Sequence, residues 1–200
     1  MNLSEMITLV RRDLKDEDAG NYQWSDDELT RHITRAVREL SERVPLPAKA
    51  TLPTTAGSRE IDISGLSDRI MVEAVEYPMG LYPPRYQQFS IWGDTLTIIS
   101  GSEPDGSNCY VYYGVLHTLD ANGSTIPAKY EDLVAAGACG YAAIEWAAYT
   151  INRVNVGGTM TPREFRLWGN ERLKVFRERL KKLGRRQRVR TQHLFISKSA

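Results

Sequence analysis

Apolar residues recur along this chain at two different spacings, and the places where the spacing changes divide it. Leu3, Met6, Ile7, Val10 and Leu14 fall three or four residues apart, which predicts a short helix ending before Gly20. Leu29, Ile33, Val37, Leu40 and Val44 repeat the pattern, and the stretch Tyr22-Gln23-Trp24-Ser25-Asp26-Asp27-Glu28-Leu29 specifies how that second helix begins. Ser25 and Glu28 are spaced as a capping box, Trp24 and Leu29 as a hydrophobic staple, and Asp26 and Asp27 favour the positive end of the helix dipole. Pro45 and Pro47 stop it, since proline lacks the amide a helix interior needs. From about Ala48 to Asn122 the period becomes two. Ile61 and Ile63, then Ile70, Val72, Ala74 and Tyr77, then Phe89 and Ile91, then Leu96 and Ile98, then Tyr110, Tyr112 and Val115 predict about five short antiparallel strands. Turn residues separate them at Ser64-Gly65, Pro83-Pro84, Gly93-Asp94, Pro104-Asp105-Gly106 and Asn122-Gly123, with Trp92-Gly93-Asp94-Thr95 as a tight hairpin. Pro78 to Arg85 places three prolines among Tyr77, Tyr82 and Tyr86 and reads as a projecting loop.

Helical spacing returns at Ile126. Pro127 opens a helix with a fixed φ where no amide donor is missed, and Glu131 and Asp132 lie near its positive end. The run Leu133, Val134, Tyr141, Ile144, Trp146, Ala148 and Ile151, interleaved with alanine and glycine, is apolar nearly all round, so the helix is expected to be buried. Its small residues let a neighbouring backbone approach closely, from the same chain or from another subunit. Asn155, Gly157 and Gly158 break it. Thr161-Pro162-Arg163-Glu164 is a further capping box, followed by an apolar stripe of Phe165, Trp168, Phe176, Leu180 and Leu183 and by Gly184 as the expected left-handed residue at the helix end. These elements amount to an α+β chain: helices over 1–47, an inserted antiparallel β subdomain over 48–124, a helical hairpin over 125–184 completing a four-helix core, and an arm over 185–200.

Charge changes the reading of that arm. The net charge is +1, yet between Glu171 and Ala200 eleven lysines and arginines face only Glu171 and Glu178, so this end carries +9 and the rest of the chain −8. A solvated face explains Arg172, Lys174, Arg177, Arg179, Lys181 and Lys182. It does not explain Arg185, Arg186, Arg188 and Arg190 followed by His193, Leu194, Phe195 and Ile196, which reads as an arm that orders on a partner. No run approaches the roughly 20 apolar residues of a membrane span. Met1 to Leu14, with Glu5 and Asp13, has no apolar signal-peptide core. Cys109 and Cys139 are expected to be reduced core residues, and Asn122-Gly123-Ser124, formally a glycosylation sequon, to be a turn.

Little in the sequence points to catalysis. His32, His117 and His193, placed on helix, strand and tail, have no second ligand at metal spacing, and Gly157-Gly158 follows a helix instead of a strand, so no metal or cofactor is expected. There is no nucleophile elbow, and Asp26 and Asp27 are accounted for by capping. Tyr110, Tyr112 and Tyr113 read as sheet packing rather than a base-stacking platform. Catalytic residues are not assigned.

The order of elements, with Tyr22 to Leu29 opening a helix that closes on Arg43-Val44-Pro45, a β insertion, and an Ala-rich helix beginning Ile126-Pro127, resembles the head-to-tail connector, or adaptor, proteins of tailed bacteriophages. The resemblance spans nearly the whole chain, while motif-like similarity is confined to Tyr22 to Leu29 and Ile126 to Trp146. It implies a structural virion protein, made in the host cytoplasm and built into the neck. Such a protein forms a ring, commonly a dodecamer, beneath the portal, with double-stranded DNA passing through its channel without specific binding. It implies that Leu173 to Ile196, with Arg185, Arg186, Arg188, Arg190, Leu194, Phe195 and Ile196 at its end, faces the portal protein. The loop Tyr82, Pro83, Pro84, Arg85 and Tyr86 would then face the tail or nozzle protein. Arginines that steer and an apolar anchor that holds suit an acidic portal surface, and an acidic body with Asp26, Asp27 and Glu28 toward the lumen would let DNA slide. The alternatives are a nucleic-acid-binding accessory protein using the basic tail and another tail-completion component with similar helical ends.

Overall fold

The computed structural model describes residues 1–150 and 162–186, with the side chains of Arg185 and Arg186 outside that description. Helix and antiparallel sheet both contribute, and the chain divides into two compact units, Met1–Leu46 with Leu116–Gly184, and Pro47–Val115.

The first unit is helical. Helix α1 (Leu3–Leu14) is capped by Asn2, whose side chain accepts from the Glu5 amide while Glu5 accepts from the Asn2 amide, and it ends at Lys15 in the left-handed conformation. Helix α2 (Asp26–Arg43) starts with the expected capping box of Ser25 and Glu28. Helix α3 (Glu131–Thr150) starts later than expected: Pro127 heads a 3-10 turn, Ala128–Tyr130, and the α-helix follows. Helix α4 (Pro162–Arg186) closes the set, with the Thr161 cap and the Asn155 to Gly158 turn outside the described residues. Met6 and Val10 of α1, Leu29, Ile33 and Leu40 of α2, Val134, Ala138 and Ala142 of α3 and Phe176 of α4 meet in one core.

The small residues of α3 find their neighbour within the chain. A Cβ at Gly140 would lie 2.8 Å from the Leu173 side chain and 3.0 Å from the Gly169 carbonyl oxygen, and one at Gly169 would lie 2.9 Å from the Gly140 carbonyl oxygen. Two glycines thus face each other where α3 and α4 cross. Gly184 corrects the expected helix end, because α4 continues through it to Arg186. A Cβ there would stand 3.3 Å from the Arg43 carbonyl oxygen, so this glycine provides clearance instead of a left-handed cap.

The second unit carries seven strands, β1 (Leu46–Pro53, whose first residue belongs to the helical unit), β2 (Glu60–Asp62), β3 (Arg69–Glu76), β4 (Tyr86–Gln87), β5 (Phe89–Trp92), β6 (Thr95–Ile98) and β7 (Asn108–Val115). They form two sheets, in the orders β1-β7-β3-β4 and β2-β6-β5. Val75 and Val111 of the first and Ile61, Leu96 and Ile98 of the second share a core with Ile63, Tyr77 and Cys109. The Gly93-Asp94 hairpin forms as expected, with Trp92 opposite Thr95 and Gly93 at φ 58°, the positive value a two-residue turn needs at its first central position. Strand β3 departs from simple alternation. A bulge between Val72 and Ala74 puts Val72 and Val75 on the core side, where strict period two would have placed Val72 and Ala74. Both cysteines are free and buried.

Candidate functional site

Two stretches singled out in the sequence, Tyr22 to Leu29 and Ile126 to Trp146, touch in the helical unit. The Trp24 indole donates to the Ala142 carbonyl (3.3 Å) and its ring lies 5.3 Å from that of Trp146. Farther along α2, His32 Nε2 lies 2.5 Å from a carboxylate oxygen of Glu145, whose other oxygen accepts from Arg31. Burial pushes the His32 imidazole below its ordinary value, Glu145 opposing and Arg31 reinforcing the shift. Arg11, also buried, is held on several sides: its guanidinium pairs with Asp16 (2.5 Å) and Asp26 (2.7 Å), donates to the Trp24 carbonyl (2.9 Å) and stacks 3.6 Å from the Tyr22 ring. Asp16 also accepts from the Gln23 amide at 2.7 Å. The α1–α2 connection is therefore held by a polar hub, a role for Arg11 that a spacing argument missed because it sits among the apolar positions of α1.

His117 lies just past the end of β7, not on a strand. Its ring bridges the Val44 carbonyl (3.0 Å) and Thr125, and its amide donates to buried Ser41 (2.9 Å), so its polar groups are occupied in holding the chain. Among the described residues no group of three or more His, Cys, Asp or Glu is placed to hold a metal, and no helix is long and apolar enough to cross a membrane.

In the β unit the loop after β3 is tied at its base and free at its tip. Glu76, itself buried, accepts from the Gly80 amide (3.0 Å) and the Tyr112 hydroxyl (2.7 Å), which pushes the Tyr112 phenol up to about 12. The Tyr77 hydroxyl donates to Asp105 (2.7 Å) and accepts from its amide (2.8 Å), and the Tyr77 amide donates to the Arg85 carbonyl at 3.0 Å. Beyond these anchors Tyr82 is 97% exposed and Pro83, Pro84, Arg85 and Tyr86 are exposed with it. Trp92, 88% exposed at the neighbouring hairpin, is a further surface aromatic that its place in an alternating strand concealed. Tyr110 and Tyr112 pack under Lys49, whose ammonium lies 3.3 Å and 5.3 Å from their ring centres.

For the C-terminal segment, Leu173, Phe176 and Leu180 are buried in the helical core. Arg172 pairs with Asp13 at 3.7 Å, and Arg177 with Glu39 at 3.4 Å and the Tyr141 hydroxyl at 2.9 Å. The basic residues of α4 are thus partly committed to α1, α2 and α3. Arg188, Arg190, Leu194, Phe195 and Ile196 lie outside the described residues, as do the side chains of Arg185 and Arg186. Between α2 and α4 runs an open groove of about 1010 Å³ flanked by Arg31, Arg35, Arg38, Arg43, Arg177 and Lys181, with Glu39 and Glu42 as its carboxylates. Asp26, Asp27 and Glu28 are exposed in the first turn of α2, before the groove begins at Arg31, where Asp26 meets Arg11 and Glu28 closes the capping box.

No curated protein matches the chain. A family model described as SU10 adaptor protein matches residues 1–190, a span that includes both units, the Trp24–Trp146 contact and the tethered loop. The chain belongs to the SU10 adaptor protein family, and is thereby a structural adaptor of a bacteriophage virion.

Proposed function

We propose that the protein forms a ring, a dodecamer in the simplest case, that joins the portal to the tail in the virion neck and continues the DNA channel. Its C-terminal arm, with Arg185, Arg186, Arg188, Arg190, Leu194, Phe195 and Ile196, docks on the portal protein, and the loop Tyr82 to Tyr86 meets the tail or nozzle protein. The observation that carries this reading is the family match over residues 1–190, which extends through the last of the four arginines. The tethered loop supports the tail-side assignment: a tip fixed at its base by Glu76 and Tyr77 presents Tyr82 with little ordering left to do on contact. Burying Leu194, Phe195 and Ile196 would contribute about 1.5 to 3 kcal/mol each, multiplied around a ring by avidity.

The test is incubation of the purified protein with portal rings of the same phage, followed by imaging. An added ring at the narrow end is expected. Deleting residues 185–200 is expected to abolish docking and leave the circular dichroism spectrum unchanged; normal docking of the truncated chain would refute the arm's assignment. Tight, steeply salt-dependent binding to duplex DNA with no portal binding would instead favour a nucleic-acid accessory role.

A further inference from the structure

The helical unit is electrically polar along α2. From Asp16 to Glu28 the chain carries Asp16, Glu17, Asp18, Asp26, Asp27 and Glu28 with no lysine or arginine between them. Apart from buried Asp16 these carboxylates are on the surface. Farther along the same helix, from Arg31 to Arg43, runs the groove between α2 and α4. Several of its cations are already engaged: Arg31 by Glu145, Arg177 by Glu39, and Arg35 by the Tyr141 ring 3.9 Å away. Arg38, Arg43 and Lys181 have no ion pair among the described residues. From Asp27 to Arg38 the helix rises about 16 Å, roughly twice the screening length of physiological salt. The acidic lobe and the free cations therefore do not neutralise each other within one copy.

We propose that the α2/α4 groove of one copy receives the acidic α1–α2 lobe of the next. This rests on the ring reading above and names the surfaces by which that ring would close. Two different surfaces meeting head to tail make a heterologous contact, which generates a ring when the rotation closes. Charge complementarity selects the occupant, since the lobe offers surface carboxylates where Arg38, Arg43 and Lys181 lack them. Exposed Tyr22 sits on the same lobe and gives it an apolar contact point. Duplex DNA is the competing occupant, since Glu39 and Glu42 stand against phosphates and carboxylates alike, and only the lobe adds the exposed Tyr22 ring.

Two charge-reversed variants test the contact: Arg38→Glu with Arg43→Glu in the groove, and Glu17→Lys with Asp27→Lys on the lobe. None of these four side chains takes part in the caps or in the Arg11 hub, and circular dichroism confirms folding of each variant. Sedimentation velocity is run at about 50 mM and about 500 mM salt, with and without portal rings. Wild type is expected to associate, most strongly at low salt, and each variant alone to remain monomeric. An equimolar mixture should recover association, because the reversed lobe matches the reversed groove and the unaltered lobe matches the unaltered groove. Variants that associate like wild type, or a mixture that does not recover, would overturn this contact and leave the ring reading standing. A wild type that stays monomeric in every condition, portal rings included, would overturn both. A groove variant that associates normally and loses salt-sensitive retention of duplex DNA would assign the groove to nucleic acid and overturn the proposal.

Discussion

Glycine to alanine in an exposed helix normally stabilises by about 1 kcal/mol, because alanine costs less backbone entropy to order. At Gly169 the opposite is expected. The added methyl would lie 2.9 Å from the Gly140 carbonyl oxygen, 2.9 Å from Ile144 Cγ1 and 3.2 Å from Ala143 Cβ, all closer than the roughly 3.5 Å at which carbon contacts become favourable. One of these neighbours is backbone and another is a Cβ fixed to it, so no rotamer change removes the overlap and the α3–α4 crossing must open. Overpacking of this kind costs about 1 to 3 kcal/mol, and the upper part of that range applies where backbone is struck. After the propensity gain, Gly169→Ala should destabilise by about 1 to 2 kcal/mol, a fall of several degrees in melting temperature at about 2 to 4 °C per kcal/mol. Gly184→Ala is the control: its methyl would stand 3.3 Å from the Arg43 carbonyl, so a small shift suffices and the net effect should be near zero. Gly140→Ala combined with Gly169→Ala should cost less than the sum of the two, since both strain the same gap. Urea unfolding followed by tryptophan fluorescence in a Trp92→Phe background reads this unit, because Trp24, Trp146 and Trp168 all pack in or against its core. A Gly169→Ala protein as stable as the parent, or more so, would refute the close crossing.

Arg11→Met should destabilise by about 3 kcal/mol by stranding buried Asp16, and adding Asp16→Asn should recover part of that loss, as measured by urea midpoints. His32 gives an acid-sensitive term. Burial holds its imidazole below the ordinary 6.5, so below that pH the unfolded chain binds a proton the folded chain resists, and stability present above pH 6.5 is lost as pH falls. His32→Gln should flatten that loss in denaturation midpoints taken a unit either side of 6.5. In the β unit, the Tyr77 hydroxyl and then the Ser107 amide hold the Asp105 carboxyl down to about 2, so its contribution is full above its ordinary 3.8 and lost as pH falls through about 2. Tyr77→Phe should raise that carboxyl toward 3.8 in an NMR titration, and an unchanged value would show that the hydroxyl is not its main partner.

Local chemistry wrote most of the helical unit into the sequence. Ser25 and Glu28 fix the start of α2 by a side-chain and backbone exchange that needs no distant partner, and the apolar run of α3 requires burial wherever it lies. The crossing partner of α3 was not readable, because small residues permit close approach without naming who approaches; only the fold pairs Gly140 with Gly169. Strand β1 was missed for a different reason. Its inward positions, Leu46, Ala48, Ala50 and Leu52, are partly small, and the strand contains Pro47 and Pro53, which a central strand would exclude but an edge strand accepts. The two residues of β4 are too few for a period, and the β3 bulge shifts the inward face by one residue in mid-strand. The groove of α2 and α4 was equally invisible, since Arg38 and Arg43 read singly as ordinary helix-surface charges until α4 brings Lys181 and Arg177 beside them.

The polar side chains of this protein separate into those that are used up and those that are not. Arg11, Asp16, Glu76, Tyr77 and His117 each make two or more contacts inside their own unit, and the shifts of Asp105 and Tyr112 follow from bonds that tie the ends of loops. Such groups define geometry: they hold Tyr22 to Asp26 on α1 and the base of the loop that carries Tyr82. Among the described residues, two sets that face solvent stand out, the α2/α4 cations Arg38, Arg43 and Lys181 with the surface carboxylates Glu17 and Asp27, and the exposed aromatics Tyr82 and Trp92 in the other unit. The two kinds differ in how they hold a partner, since contacts between exposed charges weaken as salt screens them whereas apolar burial is not screened. A contact made through the α2 charges should therefore loosen as salt rises while one made through Tyr82 and Trp92 should hold, so salt alone separates the two surfaces.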